Sequence, residues 1–434
     1  MRKARLRERI ASRMPAATLP RRKGLTGKLT VVLALLGISA FINYIDRGNL
    51  SLAAPMLKDE LGLSASQLGL LLSAFFWTYA CLQPVTGWLV DRVNVNWVIA
   101  GGFCLWSCAT AATGMVHAIA ALFVFRLMLG VGESVMFPSC SKIIALHFPE
   151  EHRGLANSIV SAGMTLGPGF GMLAGGMLMA RVGWRPFFIV LGLVSLCWLV
   201  PWLKWMPDAR EALPLKKTGA PSFPEFLRLR SAWGTCAGLF SLNYLSYFLI
   251  TWLPFYLVRE RHFSMDSMAK TGGAAYLMGA ASATLAGWYS DRWISAGATP
   301  TRVRKTFVAG GLAASGLLLG LSAVSGPAFC VFLIIAGMIF WGASSSNLWA
   351  ITQTLAGPQA AGRWTGFQNF VGNFAGMVGP ALTGYVLQWT GQFYWAFAIM
   401  TAVALAGAAS WIFLIGRVEQ VRWSRQPQAA AVSG

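Results

Sequence analysis

Four charged residues stand inside long apolar stretches of the sequence: Asp46 and Arg47 in FINYIDRGNL (41–50), and Arg126 and Glu133 in RLMLGVGESV (126–135). Their types divide into two chemistries. An arginine carries a permanent planar fork that grips a carboxylate through parallel hydrogen bonds, so Arg47 and Arg126 are candidates for holding an anion. A carboxylate takes up and releases a proton, so Asp46 and Glu133 are candidates for carrying one. Arg126 and Glu133 are seven residues apart, close to two helical turns, which places them on one helix face. Unpaired in hydrocarbon, the four charges would cost on the order of 10 kcal/mol, at about 2.5–3.5 kcal/mol each. They must pair or face water. An ion pair that merely locks helices together is the bland alternative, disfavoured because packed apolar residues do that job better. If an ionised Glu133 occupies an arginine, protonation frees that arginine for an anion, and linkage makes the favour mutual.

The elements that position these residues follow from composition. The chain has 434 residues, 56% hydrophobic and 12% charged, about half the charged share of a soluble domain. Uncharged windows near the roughly 20 residues needed to cross a bilayer fall near 29–50, 67–90, 95–115, 118–141, 154–180 and 184–203. After a polar gap they resume near 232–258, 270–290, 305–324, 328–350, 362–388 and 393–416. Every span contains Gly or Pro, and lipid demands internally satisfied backbone, so spans of this length predict helices. The expectation is an all-α membrane protein of 12 transmembrane helices.

Of the 35 Lys and Arg residues, 27 lie on the segments that are cytoplasmic if both termini are inside; Lys58, Arg181, Arg185, Arg259, Arg261 and Lys270 lie on the outer loops. That bias fixes the expected orientation. The +20 net charge is thus topological rather than a nucleic-acid footprint, although the basic tail RKARLRER is placed to touch anionic membrane lipids. The long basic lead and the ending YIDRGNL are not expected of a cleavable signal peptide. All seven cysteines lie in apolar spans without metal-ligand spacing and read as buried thiols. No metal or cofactor is expected.

GWLVDR (87–92) returns as GWYSDR (287–292), each at the end of the second span of its half. The chain reads as a duplication: a basic tail (1–28), a six-helix bundle (29–203), a cytoplasmic linker (204–230), a second six-helix bundle (231–416) and a C-terminal tail (417–434). Two such halves are one repeat plan of secondary transporters, with the substrate between them near mid-membrane.

The G-x-x-x-D-R motif with its degraded second copy resembles the loop motif of the major facilitator superfamily. Asn94 and Asn96 depart from it, standing where a second Gly and a basic residue are usual. The resemblance implies a gating role, holding the bundles together in one conformation, for Asp91, Arg92, Asp291 and Arg292. The segment 126–158 together with YIDRGNLSLA resembles, more narrowly, the anion:cation symporter family, whose members carry hexonates, hexuronates and other organic acids and include the sialin and vesicular glutamate carriers. That resemblance implies proton-coupled uptake of an organic anion by a protein of two pseudo-symmetric bundles, with Arg47 and Arg126 near the anion and Asp46 and Glu133 in proton coupling. It is strongest, at these positions, toward bacterial galactonate-type symporters, and it makes Asn369 a candidate for binding a substrate hydroxyl. Met164 stands where those carriers have a polar residue, which puts an identical substrate in doubt.

Neutral candidates complete the site. Tyr44 and Tyr79 can offer hydroxyls from the first and second spans, and Ser345, Asn347, Gln368, Asn369 and Asn373 line SSSNLWA and FQNFVGN in the second half. Helix–helix hydrogen bonding is the plain alternative for each. Asn243, Tyr244 and Tyr247 of the seventh span could close over a ligand or pack. Most of the 19 tryptophans are expected at the membrane interfaces.

Rival readings fit these residues less well. Gly154, Gly163, Gly167, Pro168 and Gly171 follow a spacing that resembles the fifth helix of proton-coupled drug exporters; its physical content is a bendable, closely packed helix, and Glu133 with two arginines suits a cationic drug poorly. Uptake of an aromatic carboxylate is a further alternative. A membrane enzyme is disfavoured, since Gly167–Gly171 lacks the strand of a nucleotide loop and no nucleophile–base set appears. Short loops favour a bacterial inner membrane, and the two bundles suffice for a cavity, so a monomer is expected.

Overall fold

The computed structural model describes residues 27–148, 150–206, 223–421 and 423. Helices joined by short turns make up these residues, with no strand among them. Twelve long helices follow one another: α1 (Gly27–Leu61), α2 (Ala65–Arg92), α3 (Val95–Thr113), α4 (Ile119–Ile144), α5 (150–182) and α6 (Trp184–Trp205), then α7 (Arg230–Glu260), α8 (Met265–Ser295), α9 (Pro300–Ser322), α10 (Pro327–Gly357), α11 (Trp364–Thr390) and α12 (Phe393–Phe413). The short helix Phe223–Leu227 precedes α7, and its Phe226 ring sits edge-on to Trp364 of α11.

Ten of these helices are long and apolar enough to cross a bilayer on length and composition alone. The exceptions are α5 and α8. Both are long enough to cross, but they begin on polar turns (EEHRGLANS, MDSMAK) and continue in Gly, Ala and Ser. Small residues let backbones approach, and α5 and α8 pack on each other: a Cβ on Gly273 of α8 would fall 2.7 Å from the Leu173 side chain of α5.

The first helix runs eleven residues beyond the expected end at 50, because LSLAAPML continues the apolar pattern and Pro55 is tolerated inside it. Prolines leave their mark elsewhere as wide turns. Pro168 precedes one at Gly171–Gly175 in α5, and Pro254 precedes another at Tyr256–Glu260 in α7, each following a residue that removes a helical hydrogen bond. Between α10 and α11, Gly357 takes φ 65° and ψ 175°, a left-handed turn that a side chain would strain.

Bonds across the two halves lie from mid-depth outward, on the side away from the basic segments. Ser51 of α1 donates to the Ile250 carbonyl of α7 (2.5 Å), the Ser66 N–H of α2 donates to Gln388 Oε1 of α11 (3.2 Å), and Arg259 of α7 donates to the Pro55 carbonyl (3.0 Å) while pairing with Asp59. Gly69 and Gly384 meet at this seam: a Cβ on Gly384 would fall 2.6 Å from the Ala65 carbonyl oxygen. Toward the basic side, Trp88 and Arg92 of α2 and Trp288, Asp291 and Arg292 of α8 are exposed. Among the described residues, these bonds close the two halves on the side away from the basic segments.

One sequence expectation is corrected. Cys81, Cys104, Cys108 and Cys197 lie on the outward surface, and only Cys140, Cys236 and Cys330 are buried; an apolar span has an outer face as well as an inner one. Trp106, Trp202, Trp252, Trp364 and Trp411 are fully enclosed. Each of the first four except Trp106 hydrogen-bonds through its indole N–H to a neighbouring helix, as Trp252 does to the Pro380 carbonyl at 3.1 Å. Trp202, Trp252 and Trp364 are interhelical ties.

Candidate functional site

The four charges expected to do chemistry are brought to the middle of the first half by α1 and α4. Arg47 Nε donates to Glu133 Oε2 at 3.0 Å, and the two side chains are 3% and 0% exposed. This is a single-point bond, since Glu133 Oε1 has no hydrogen-bond partner among the described residues. The Arg47 guanidinium lies 4.5 Å from the Tyr44 ring centre and 4.4 Å from that of Tyr79, so both tyrosine candidates serve it with their faces. Such contacts are worth roughly 2 kcal/mol or more when desolvated.

Arg126 is buried as deeply, yet it makes no hydrogen bond or ion pair with any described residue, and its Nε is sealed without a partner. One arginine is therefore engaged by an acid and the other is not. Asp46 lies apart from the Arg47–Glu133 bond: its Oδ1 accepts from Asn49 Nδ2 and Thr110 Oγ1, both at 3.3 Å, and its Oδ2 has no partner among the described residues. The two acids thus sit in different surroundings, one on an arginine and one among neutral donors.

The backbone around Glu133 explains how α4 is held. Pro138 lacks the N–H that would bond the Ser134 carbonyl, and Thr86 of α2 supplies a donor instead, Oγ1 to O at 3.1 Å. Two turns earlier on α2, Thr78 donates to the Leu127 carbonyl at 2.8 Å. These two threonines fasten α2 to α4 on either side of Glu133.

The second half divides the neutral candidates. Tyr247 of α7 donates to Asn373 Oδ1 at 2.7 Å, and Asn373 Nδ2 donates to the Asn369 carbonyl at 2.8 Å. The Tyr247 ring meets Phe76 of α2 with centroids 4.3 Å apart, so Tyr247 and Asn373 stand where the halves touch. Asn369 is half-buried and its side chain makes no hydrogen bond with a described residue, as is true of Asn243. Gln368 and Asn347 are placed otherwise. Gln368 donates to the Thr235 carbonyl (3.1 Å) and accepts from Thr352 (2.7 Å), while Asn347 accepts from Ser290 (2.8 Å); both tie helices within the second bundle. Ser345 bonds the Gly342 carbonyl of its own helix at 2.8 Å, and Tyr244 is buried.

Of the gating candidates, Arg92 stacks on Trp88 (4.9 Å) and Arg292 on Trp288 (5.5 Å); Asp291 is exposed, and the Asp91 side chain lies outside the described residues. The glycines of the exporter-like pattern serve packing: a Cβ on Gly167 would fall 2.8 Å from the Phe41 carbonyl oxygen of α1. Met164 packs at the edge of the first bundle's core. Sequence reasoning missed Thr110, Asn49, Thr78, Thr86 and Phe75. For the threonines and Asn49 the signal available was a hydroxyl or amide recurring on the inner face of an otherwise apolar span; Phe75 gave none.

The family model of the Major Facilitator Superfamily matches residues 36–380. Among curated proteins, the chain is 29% identical to a hexuronate transporter of Bacillus subtilis, covering 87% of this chain and 92% of that protein. It is 30% identical to a probable sulfoacetate transporter of Cupriavidus necator (88% and 93%) and 27% identical to a D-galactonate transporter of Escherichia coli (90% and 96%). Among solved structures, an inward-facing bacterial homologue of the human lysosomal transporter Spinster shares the fold, with TM-score 0.71 and 18% identity over 90% of this chain and 96% of that one.

Proposed function

The chain belongs to the major facilitator superfamily and is a multi-pass membrane transporter; from that premise we propose that it takes up an organic anion, a sugar acid of the hexonate or hexuronate kind, together with protons, by alternating access. One observation carries this reading: Glu133 bonds Arg47 while the equally buried Arg126 makes no ion pair or hydrogen bond with a described residue. A carboxylate reaching the two arginines finds the Arg126 fork without an ion pair to a described residue. To be held by both arginines it must displace Glu133 from Arg47, and a proton on Glu133 removes the competitor. Proton and anion then bind in each other's favour. Asp46, held by neutral donors, offers a second proton position.

Specificity beyond charge falls to the second half. Asn369 and Asn243 carry amides that bond no described residue, and such groups suit the hydroxyls of a sugar acid better than an aromatic ring. The names of the relatives, hexuronate and D-galactonate transporters, agree with that class. The bias of Lys and Arg toward one side supports an orientation with both termini cytoplasmic, and the bacterial relatives support an inner-membrane location. The exporter reading finds no separate support, because the glycine pattern that suggested it packs α5 onto α1 and sets no direction.

The test is reconstitution in liposomes, adding a panel of sugar acids outside while external pH is followed. Alkalinisation with one class, abolished by Arg126→Ala, supports the reading. Silence across the panel, with proton release when preloaded vesicles meet lipophilic cations, overturns it.

A further inference from the structure

The two arginines share one neighbour that has no polar atom. The Phe75 ring centre of α2 lies 5.3 Å from Arg47 Cζ and 5.5 Å from Arg126 Cζ. Among the described residues it is the one ring within such reach of both guanidinium groups. Phe75 is fully buried, and its ring is itself placed by rings: Tyr79 stacks on it with centroids 5.1 Å apart and planes at 20°, and Phe76 meets it edge-on at 4.9 Å. Its backbone is placed as firmly. Thr78 bonds α4 at Leu127, the residue after Arg126, and the Phe75 carbonyl occupies the space that a side chain on Gly130 would need.

Two like charges with one acid between them repel unless something attractive holds each in place. An aromatic face attracts a cation through its quadrupole, and Phe75 offers that attraction to both. For Arg47 the ring adds to Tyr44, Tyr79 and Glu133. For Arg126, which makes no ion pair or hydrogen bond with a described residue, the ring is a close contact that adds to the longer-range attraction of Glu133 and Asp46.

We propose that Phe75 is a positioning residue that sets the distance and angle between the Arg47 and Arg126 forks, so that one carboxylate can bridge them. This rests on the anion-binding role proposed above for the two arginines. Phe75 touches no substrate in this account; it acts through the guanidinium groups. A leucine would fill much of its space and supply none of its electrostatics, leaving Arg126 to settle elsewhere.

The experiment replaces Phe75 with phenylalanines bearing one, two and three ring fluorines, which weaken the quadrupole stepwise and change shape little, with Phe75→Leu alongside. Equilibrium binding of the sugar acid that the unmodified protein recognises is measured in detergent, and folding is checked by size-exclusion profile. The expected result is a graded loss of affinity along the fluorine series, reaching about tenfold at three fluorines, the scale of one desolvated cation–π contact. Equal affinity across the fluorinated proteins, with loss only in Phe75→Leu, would reduce Phe75 to a packing residue and overturn the proposal. If the unmodified protein binds no acid of the panel, the transport reading itself fails, and the proposal with it.

Discussion

Glu133→Gln isolates the competition at the heart of the proposed mechanism. The substitution keeps the shape and an acceptor oxygen for Arg47 Nε but removes the charge and the proton site. The bond it alters is a single contact at 3.0 Å, not a paired fork. Arg47 stays charged, so an ion-paired hydrogen bond becomes one between a cation and a neutral amide; within the roughly 1.5–3 kcal/mol that bonds to charged groups contribute, the grip on Arg47 weakens by about 1–1.5 kcal/mol. If the anion must take Arg47 from residue 133, its affinity at alkaline pH should rise by roughly tenfold. Its dependence on pH should flatten at the same time. Counterflow exchange of labelled for unlabelled anion should persist, because exchange needs no net proton movement, whereas accumulation under an imposed proton gradient should vanish. The assay is paired: binding by isothermal calorimetry across pH, and uptake into proteoliposomes with and without a pH gradient. Uphill accumulation at the unmodified level by Glu133→Gln would refute the assignment of the coupling proton to this carboxylate.

Further outcomes follow from the same geometry. Arg126→Lys replaces a planar fork with a point charge and should raise KM for the anion by about ten- to a hundredfold, the loss of one charge-assisted hydrogen bond; KM unchanged in initial-rate uptake would show that Arg126 does not grip the substrate. Asp46→Asn leaves room for the Thr110 contact but removes a proton site, so protons moved per anion, from a pH dye read against radiolabel, should fall; an unchanged ratio would clear Asp46 of that role. Gly384→Val places a side chain against the Ala65 carbonyl and the Gly69 Cα, where backbone rather than a flexible side chain must yield. Spin-label distances between the far ends of α2 and α11 should lengthen, and unchanged distances would mean that this seam is not tight. Arg259→Ala removes a partly exposed ion pair to Asp59, worth at most about 1 kcal/mol, so it should shift the same distance distribution only modestly and more at low salt than at high.

The helices were legible because hydrocarbon leaves the backbone so few options, and the two that composition alone underrates are instructive. In α5 and α8 small residues replace large apolar ones, since these helices spend much of their surface on each other and less on lipid. The four charges were legible for a related reason: in an apolar span a charge has to be explained. Which arginine Glu133 engages was not. The spacing puts Glu133 and Arg126 on one face of α4, yet the bond runs to Arg47 on α1, a choice made by the angle between two helices that no single-helix pattern contains. The neutral residues were least legible. Gln368 and Asn369 are neighbours in sequence with the same chemistry; a rotation of one residue, about 100° in a helix, turns the first into a tie on Thr235 and Thr352 and leaves the second's side chain without a bond to a described residue.

Charge balance gives the proposed coupling its direction. Asp46, Arg47, Arg126 and Glu133, with both acids ionised, form a neutral set enclosed by protein. A monocarboxylate entering alone would leave that set with an uncompensated negative charge in a medium where such charges are costly. One proton delivered to Glu133 restores neutrality and, in the same step, releases Arg47 to the substrate. A proton without an anion is equally unwelcome, because it leaves two arginines facing a single ionised acid, Asp46, whose Oδ1 is already committed to Asn49 and Thr110. Either partner alone is therefore disfavoured and the two together are not, which is the condition a symporter has to meet in its bound states. The same balance asks a dicarboxylate to bring a second proton, and Asp46 is the remaining buried group in this set able to take it.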